Sequence, residues 1–389
     1  MWGRHITSWK RLELAAGYIA LEERDIVSSM LPFFQLLDIR NDVSTADDVM
    51  LEKLMYLSNG SVASNPLDHV YGLLGLASCS LSRTIVPNYK LSVQELFKTT
   101  TKLFLNESFD CLSMVADPLW RRMSGLPSWV PDWSAPSPAM LLIATWGTPP
   151  NAGGNSERKW DVSLDGNRLT VRGLLFDKVT IVGKTFVTPR RLPSRQHNRI
   201  GTAIKSIAVN FFGVPPDKKG PRRIRKFWQW ERMTEKLSTY PTGDSLAEAF
   251  VQTLVAGQEV PSVTDYESRV NLQQLYRRLF TYWFLDGLEH RSRTDPAIEE
   301  GMMQYIDRLE MCDYRKIYIT EKVYIGLASW STAPGDDVAL VSGAATPYVL
   351  RSVRESRRTF QLVGETYVYG LMNGEGFGSK SELQDIILV

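Results

Sequence analysis

The hydrophobic period of this chain changes from helical to strand-like at the tip Asn151-Ala-Gly-Gly-Asn-Ser156. Before the tip, apolar residues recur at three- and four-residue spacings, as in residues 47–57, and this period predicts amphipathic helices. After it, residues 160–164 and 168–173 alternate apolar and polar side chains on either side of Asp165-Gly166, which predicts a β-hairpin. Helices that come first and strands that come later predict an α+β fold with a boundary near this tip.

More segments before the tip predict helices. Residues 9–19 have a helical period, and Asp68 is placed to cap a short apolar helix over residues 69–76. A serine and a glutamate three residues apart, Ser92 and Glu95, form a complete capping box for another helix that ends near Leu105. The first part of the chain is therefore predicted to be helical.

Residues 126–150 are rich in proline and tryptophan, and they predict an ordered but irregular crossover. The prolines are Pro127, Pro131, Pro136, Pro138, Pro149 and Pro150. Each proline fixes its own φ angle and biases the residue before it toward extended geometry, so this segment is not a helix. Trp129 and Trp133 supply the apolar area that would hold it down. We therefore expect these two indoles to pin the helical part of the chain onto the strands.

Short apolar segments separated by turn residues fill most of the chain after the tip. We predict strands over residues 160–164, 168–173, 176–183, 316–320, 324–328, 337–341, 348–353, 359–363 and 367–370. Helical periods between the two groups of strands predict helices over residues 224–237, 245–254, 271–285 and 296–310. Residues 380–389 are predicted to be a tail. Short strands at this spacing are typical of a small barrel or a curled sheet.

These patterns combine into an α+β chain of two parts. Residues 1–150 are predicted to be a helical region that ends in the Pro/Trp-rich crossover. Residues 151–389 are predicted to be a β-barrel-like region, with inserted helices at about residues 222–312 and a small barrel at the C-terminal end. A length of 389 residues agrees with two domains.

Composition restricts the classes of protein that fit. The formal net charge is only +2, so the whole chain has no drive toward nucleic acid or an anionic membrane. Cys79, Cys111 and Cys312 are far apart and odd in number, which favours reduced thiols over a disulfide framework. No apolar run reaches the ~18 residues that span a bilayer, and residues 1–10 lack the apolar core of a signal peptide. We therefore expect a cytoplasmic protein without a membrane span.

The sequence contains no motif for metal or cofactor binding. Its four histidines, at positions 5, 69, 197 and 290, are not paired. No zinc-binding, phosphate-loop, dinucleotide-binding or nucleophile-elbow motif occurs. We therefore predict neither a metal nor a cofactor.

Three carboxylates are the candidates for acid–base chemistry. Asp132 lies between Trp129 and Trp133, where burial beside indoles would raise the pKa of its carboxyl group. The alternative, which we favour, is that Asp132 braces the proline-rich segment. Glu365 and Glu375 would act as an acid pair. For both of them, the favoured alternative is that they accept hydrogen bonds from backbone amides of nearby glycine turns.

Six basic residues fall within Lys218–Lys226, and Trp228 and Trp230 follow them. Such a cluster beside aromatic residues would bind phosphate backbones and stack bases. The alternative, which we favour because the chain is nearly neutral, is a solvated basic loop that leads into a helix whose tryptophans face the core.

Four blocks of the first half resemble the motifs of fungal heterokaryon incompatibility (HET) proteins. They are Asp68-His-Val-Tyr-Gly-Leu-Leu-Gly-Leu76, Ile85-Val-Pro-Asn-Tyr-Lys90, Ser92-Val-Gln-Glu-Leu-Phe97 and Leu126-Pro-Ser-Trp-Val-Pro-Asp-Trp-Ser134. A second group, at Gly335-Asp336 and residues 347–351 and 363–370, is similar to another stretch that recurs in this family. The order and spacing of the blocks agree from about residue 47 to residue 376. The motif residues are Asp68, Tyr71, Trp129, Pro131, Asp132, Trp133, Gly335, Asp336, Arg351, Gly364 and Glu365.

The resemblance implies a protein of self/non-self recognition and regulated cell death in a filamentous fungus, with a protein partner. The motifs of the HET domain proper are not found here, so the resemblance carries over no catalytic residue. It implies a truncated or regulatory form without the effector domain. The alternative is an enzyme or accessory protein of a fungal secondary-metabolite pathway, with an aromatic-lined pocket for a small-molecule ligand.

Overall fold

The fold is seen in a computed structural model, which covers most of the chain after residue 48. It describes residues 49–135, 139–142, 149–185, 220–260, 271–277 and 304–389, together with residues 36, 39, 40, 43 and 301. Within these ranges there are gaps at residues 60, 79, 116, 236, 238, 307, 354–357 and 379–381. The helix predicted over residues 9–19 lies outside the described residues.

The described residues before the crossover are mostly helices and the turns between them, as predicted. It contains α1 (Leu51–Leu57), α2 (Asp68–Tyr71), α3 (Val93–Glu107) and α4 (Asp110–Ser113), with a 3-10 helix at Ser80–Thr84. The capping box of α3 is confirmed. The Ser92 hydroxyl accepts a hydrogen bond from the Glu95 amide, and the Glu95 carboxylate accepts one from the Ser92 amide.

The prediction that Asp68 caps a helix over residues 69–76 is wrong. Asp68 is the first residue of α2, and this helix ends after one turn at Tyr71. The side chain of Asn65 accepts a hydrogen bond from the Leu67 amide at the start of the helix. Gly72 follows directly, and glycine has low helix propensity, which helps to explain why the helix stops there.

Eight strands are present among the described residues. They are β1 (Trp160–Val162), β2 (Leu169–Val182), β3 (Arg315–Thr320), β4 (Ile325–Ser329), β5 (Asp337–Val341), β6 (Tyr348–Ser352), β7 (Thr359–Val368) and β8 (Gln384–Leu388). The predicted hairpin is confirmed, because β1 and β2 pair antiparallel with Val162 opposite Leu169. The architecture is therefore α+β, as the change of period predicts.

Three predictions about strands are wrong in detail. Residues 176–183 do not form a separate strand, because β2 continues into them across a register shift between Leu175 and Asp177. Residues 367–370 are likewise not a separate strand, because β7 runs through Gly364 to Val368. The C-terminal segment is not a tail, since β8 pairs with both β2 and β7. A bulge or a glycine inside a long strand resembles a turn in the sequence, which explains the first two errors.

Six strands pair in a closed circuit, which we call the ring: β2–β3–β4–β7–β6–β5 and back to β2. Every pairing in this circuit is antiparallel. Each of the six strands contributes to one buried cluster, which contains Val179, Tyr318, Ala328, Val338, Val349, Val363 and Val368. The phenol of Tyr318 fits because Gly326 on the next strand has no side chain; a Cβ there would lie 2.3 Å from it. Side chains therefore fill the ring.

The inserted helices lie between β2 and β3 in the sequence. They include α5 (Gly220–Thr234) and α6 (Leu246–Leu254), and residues 272–277 and 304–306 are also helical. A 3-10 helix at Leu309–Cys312 leads into β3. The Ser245 hydroxyl caps α6 by accepting a hydrogen bond from the Glu248 amide. The remaining parts of the helices predicted over residues 271–285 and 296–310 fall largely outside the described residues.

Two further apolar clusters cover the outside of the ring. One joins α3 and the crossover to the strands, and it includes Phe97, Trp129 and Ile386. The other packs α5 and α6 against β3, β4 and β7, and it includes Trp230 and Ile317. Within the described residues, every helix is too short or too polar to traverse a bilayer.

Candidate functional site

Asp132 braces the crossover, as the favoured interpretation of this residue predicts. One carboxylate oxygen accepts hydrogen bonds from the amides of Arg122 and Met123, both at 2.8 Å. The other accepts from the amide and the hydroxyl of Ser134, at 3.1 and 2.5 Å. Asp132 is only 3% exposed, so its carboxylate is used to hold the backbone of its own loop.

Arg121 is a second brace, and the sequence reasoning missed it. Its Nη2 atom donates to the carbonyl oxygens of Pro127 and Val130, at 2.7 and 2.9 Å. Burial lowers the pKa of the Arg121 guanidinium, while the charge of Asp132 acts against this. The available signal was an arginine close to a proline-rich segment, whose carbonyl groups have no helical or sheet partners.

Trp129 and Trp133 are buried, and they join the two parts of the molecule as predicted. Trp133 packs edge-on against Phe97 and Phe104 of α3, with ring centroids 5.0 and 6.1 Å apart. The indole nitrogen of Trp129 donates to the carbonyl of Asn167, which lies in the turn between β1 and β2, at 3.4 Å. Pro131, between them, is also buried. The crossover thus contacts the helices on one side and the sheet on the other.

Residues 139–142, which we call the strap, continue the crossover over a buried ion pair. Glu365 of β7 accepts hydrogen bonds from the Leu142 amide at 2.7 Å and from the Arg315 guanidinium at 2.9 Å. Arg315 of β3 also donates to the carbonyls of Met140 and Met311, at 2.5 and 3.2 Å. We call Arg315 and Glu365 the cradle.

Burial controls the electrostatics of the cradle. The side chains of Arg315 and Glu365 are 3% and 6% exposed. Burial raises the pKa of Glu365 to about 7, although Arg315, the Leu142 amide and the Ser113 hydroxyl act in the opposite direction. Burial also lowers the pKa of Arg315. Burial therefore works against the charged form of both partners, and their mutual attraction offsets it only in part.

Glu365 and Glu375 have different partners, and they do not share one proton-binding site. Glu375 accepts a hydrogen bond from the Asn373 amide at 2.6 Å, beside Gly374, so its predicted role in a glycine turn is confirmed. For Glu365 the same prediction is wrong, because its amide partner is Leu142 in the strap. This contact spans more than 200 residues of sequence, and no local pattern indicates it.

The motif residues of the C-terminal part fix the loop between β4 and β5. Arg351 donates to both carboxylate oxygens of Asp336, each at 2.8 Å, and to the Ser331 carbonyl at 2.7 Å. The contact with Asp336 raises the pKa of Arg351. Gly335 and Gly364 have φ angles of +93° and +151°, which other residues rarely adopt. This part of the motif is therefore structural.

The motif residues Asp68 and Tyr71 hold the segment that contains Tyr89. The Tyr89 hydroxyl donates to the Asp68 carboxylate at 2.8 Å, and the Tyr71 hydroxyl donates to the Asn88 carbonyl at 3.2 Å. The rings of Tyr71 and Tyr89 meet edge-on with centroids 5.3 Å apart. Two of the recognised blocks thus contact each other directly.

The basic cluster is mostly helical and not a loop, since α5 begins at Gly220. A proline at the second position suits this start, because the first turn of a helix does not need its amide. Lys226 donates to the Thr185 carbonyl. Trp230 faces the core as predicted, whereas Trp228 is 42% exposed.

The described residues offer few places for chemistry on a substrate. They contain no group of histidine, cysteine and carboxylate side chains that would hold a metal. A groove of about 180 Å³ lies between α5, α6 and residues 273–277, and Asp132, Glu365 and Glu375 do not line it. The candidate carboxylates are engaged with their own chain.

Comparisons with known proteins agree with the motifs. Residues 285–389 match the family model of the Het-6 beta-barrel domain. The chain is also 23% identical over 386 aligned residues to "Heterokaryon incompatibility protein 6, OR allele" of Neurospora crassa, and the match covers 84% of this chain and 51% of that protein. The chain therefore spans about half the length of this relative. No solved structure matched. The motifs and these two matches support a fungal protein of the heterokaryon-incompatibility type, whose residues 285–389 are similar to the Het-6 beta-barrel domain.

Proposed function

We propose that this protein acts in self/non-self recognition in a filamentous fungus, as a regulatory part of a reaction that ends in cell death. The observation that carries the proposal is the extent of the similarity to the Neurospora protein. It covers 84% of the chain, far more than the residues 285–389 that match the domain family. The relative is named for heterokaryon incompatibility, and we extend that role to this chain.

The geometry supports a regulatory role and not substrate turnover. Asp132, Glu365 and Glu375 each hold backbone amides of their own chain. Arg351 and Asp336 likewise hold a loop together. We therefore propose that the protein acts by contacting a protein partner, and that it does so in the cytoplasm.

Forced expression in matched fungal strains tests this proposal. The chain would be expressed at equal levels in strains that differ only at their incompatibility loci. We expect growth arrest and uptake of a vital dye only in a strain that carries a non-self partner. A Trp129→Ala variant, which removes an indole from the buried cluster around the crossover, serves as the inactive control. Equal growth of all strains at equal protein levels would contradict the proposal.

A further inference from the structure

The strap is held by its backbone. The Leu142 amide donates to Glu365, and the Met140 carbonyl accepts from Arg315. Two strands, β3 and β7, thus bind residues 140 and 142 through backbone atoms. Recognition of this kind is the same for an internal segment and for a segment of another chain.

The side chains of the strap add a simple apolar pattern. Leu141 and Leu142 are 5% and 0% exposed, whereas Met140 is 42% exposed. Leu142 packs in the apolar cluster of the inserted helices. The strap therefore presents two adjacent buried aliphatic side chains, together with the amide and the carbonyl that the cradle binds.

A buried ion pair is a costly way to hold a core together. Apolar side chains of similar volume are often as stabilising as a buried pair, because both charges lose their water. Here the side chains of both partners are almost fully buried, so both charges lose their water. The ion pair is therefore better suited to binding the backbone of a peptide segment than to stabilising the fold.

We propose that the strap is an internal occupant of a peptide-binding site formed by the cradle, and that a partner segment with two adjacent aliphatic residues displaces it. The partner supplies an amide for Glu365, a carbonyl for Arg315 and two side chains for the sites of Leu141 and Leu142. This inference goes beyond the proposed function, because it depends only on whether the strap opens and what replaces it.

Hydrogen exchange of the whole, unmodified protein tests whether the strap opens locally. A displaceable strap opens locally, so its amides exchange at least about a hundredfold faster than those of the ring strands β2 and β5. Mass spectrometry of peptic fragments that cover residues 139–142 measures this. Exchange of the strap only together with the ring would overturn the proposal, because the strap would then be part of the core.

Binding of a short peptide tests whether another segment can replace the strap. The probe is a labelled, acetylated and amidated peptide with the strap sequence Ala-Met-Leu-Leu, and the matched control is Ala-Met-Ser-Ser. We expect saturable binding of the first peptide to the full chain by fluorescence anisotropy, at least about tenfold tighter than the control. We also expect faster exchange of the native strap amides when this peptide is bound. Equal binding of both peptides, or binding that leaves the strap protected, would overturn the proposal.

A Glu365→Gln variant of the full chain tests whether the peptide binds at the cradle or at another surface. Glutamine keeps the shape and an acceptor oxygen but loses the charge that pairs with Arg315. We expect the dissociation constant of this variant for the leucine peptide to differ at least about threefold from that of the unmodified protein. An Asp336→Asn variant, which alters an ion pair away from the strap, should bind as the unmodified chain does. If the two variants bind the peptide equally well, the peptide does not bind at the cradle. If Glu365→Gln fails to fold, hydrogen exchange and peptide binding of the unmodified protein test the proposal.

Discussion

Trp129 and Trp133 connect the helices to the ring through buried apolar contacts. Trp129 is fully buried in a cluster that also contains Phe97 of α3 and Phe360 of β7. Trp133 is 7% exposed and packs on two phenylalanines of α3. Their contribution therefore comes from apolar area at the place where the two parts meet.

Truncation of either indole should be strongly destabilising. We expect Trp129→Ala and Trp133→Ala each to lower the free energy of unfolding by ~3–5 kcal/mol, as large truncations in a core do. Urea unfolding followed by circular dichroism measures the change. Trp228→Ala, which removes a 42% exposed indole, is the matched control and should cost less than half as much. Equal costs at the buried and exposed positions would contradict the burial described here.

Glu52 should make the stability depend on pH. Burial, and then the charge of Asp110, raise its pKa to about 8. A carboxyl group whose pKa is raised in the folded state contributes stability below its unfolded pKa of about 4.3, and this contribution is lost as the pH rises through 8. One of its carboxylate oxygens is also buried with no partner among the described residues.

Glu52→Gln should therefore stabilise the protein at high pH. We expect the stability of the variant relative to the unmodified chain to rise by ~4 kcal/mol from pH 5 to pH 8.5. Urea unfolding at the two pH values gives the difference. Glu157→Gln, at an exposed position, should show no such gain. If the Glu52 variant has the same pH dependence as the unmodified protein, Glu52 is ionised in the fold.

At the scale of elements, β8 shows how a terminal segment becomes part of a core. Its side chains alternate, so that Ile386 is fully buried while Ile387 is partly exposed. We expect Ile386→Ala to cost ~2–5 kcal/mol and Ile387→Ala less than about 1 kcal/mol, because only the first leaves a cavity. Thermal unfolding of the two variants compares them. Similar melting temperatures would show that β8 does not dock in this register.

Elements that are determined by residues close together in the sequence could be predicted. The capping box of Ser92 and Glu95 and the hairpin around Asp165-Gly166 are set by residues within a few positions of one another. The burial of Trp129 and Trp133 could also be predicted, because prolines exclude a helix there and large apolar indole rings are stabilised by burial.

Elements that depend on distant partners could not be predicted. β8 is stabilised by β2, more than 200 residues earlier, and the last ten residues alone give no sign of this. The cradle likewise joins Arg315 of β3 and Glu365 of β7, which are 50 residues apart. Asp68 has the sequence position of a cap, but it is the first residue of α2, and its carboxylate accepts a hydrogen bond from Tyr89, 21 residues later.

At the scale of the whole molecule, the ring does not coincide with the matched domain. Residues 285–389 contain β3 to β8, whereas β2, which pairs with β3, β5 and β8, lies before them. We therefore propose a division into residues 1–150 and 151–389, with the ring in the second part.

A fragment of residues 285–389 should consequently fail to fold by itself. Without β2 the ring has an open gap between β3 and β5, and the apolar faces next to it lose their cover. We expect no cooperative urea transition by circular dichroism, whereas the full chain shows one. A sharp transition of the fragment would show that β2 is not needed to close the ring.

The crossover should make the helical part and the ring one cooperative unit, because they share the cluster around Trp129 and Trp133. Hydrogen exchange of the full chain at increasing urea concentrations, below the unfolding transition, tests this claim most directly. The slowest amides of α3 and those of β2 should converge on the same free energy of opening. If the amides of α3 open at a free energy several kcal/mol below that of β2 at every urea concentration, the two parts unfold separately and the claim is contradicted.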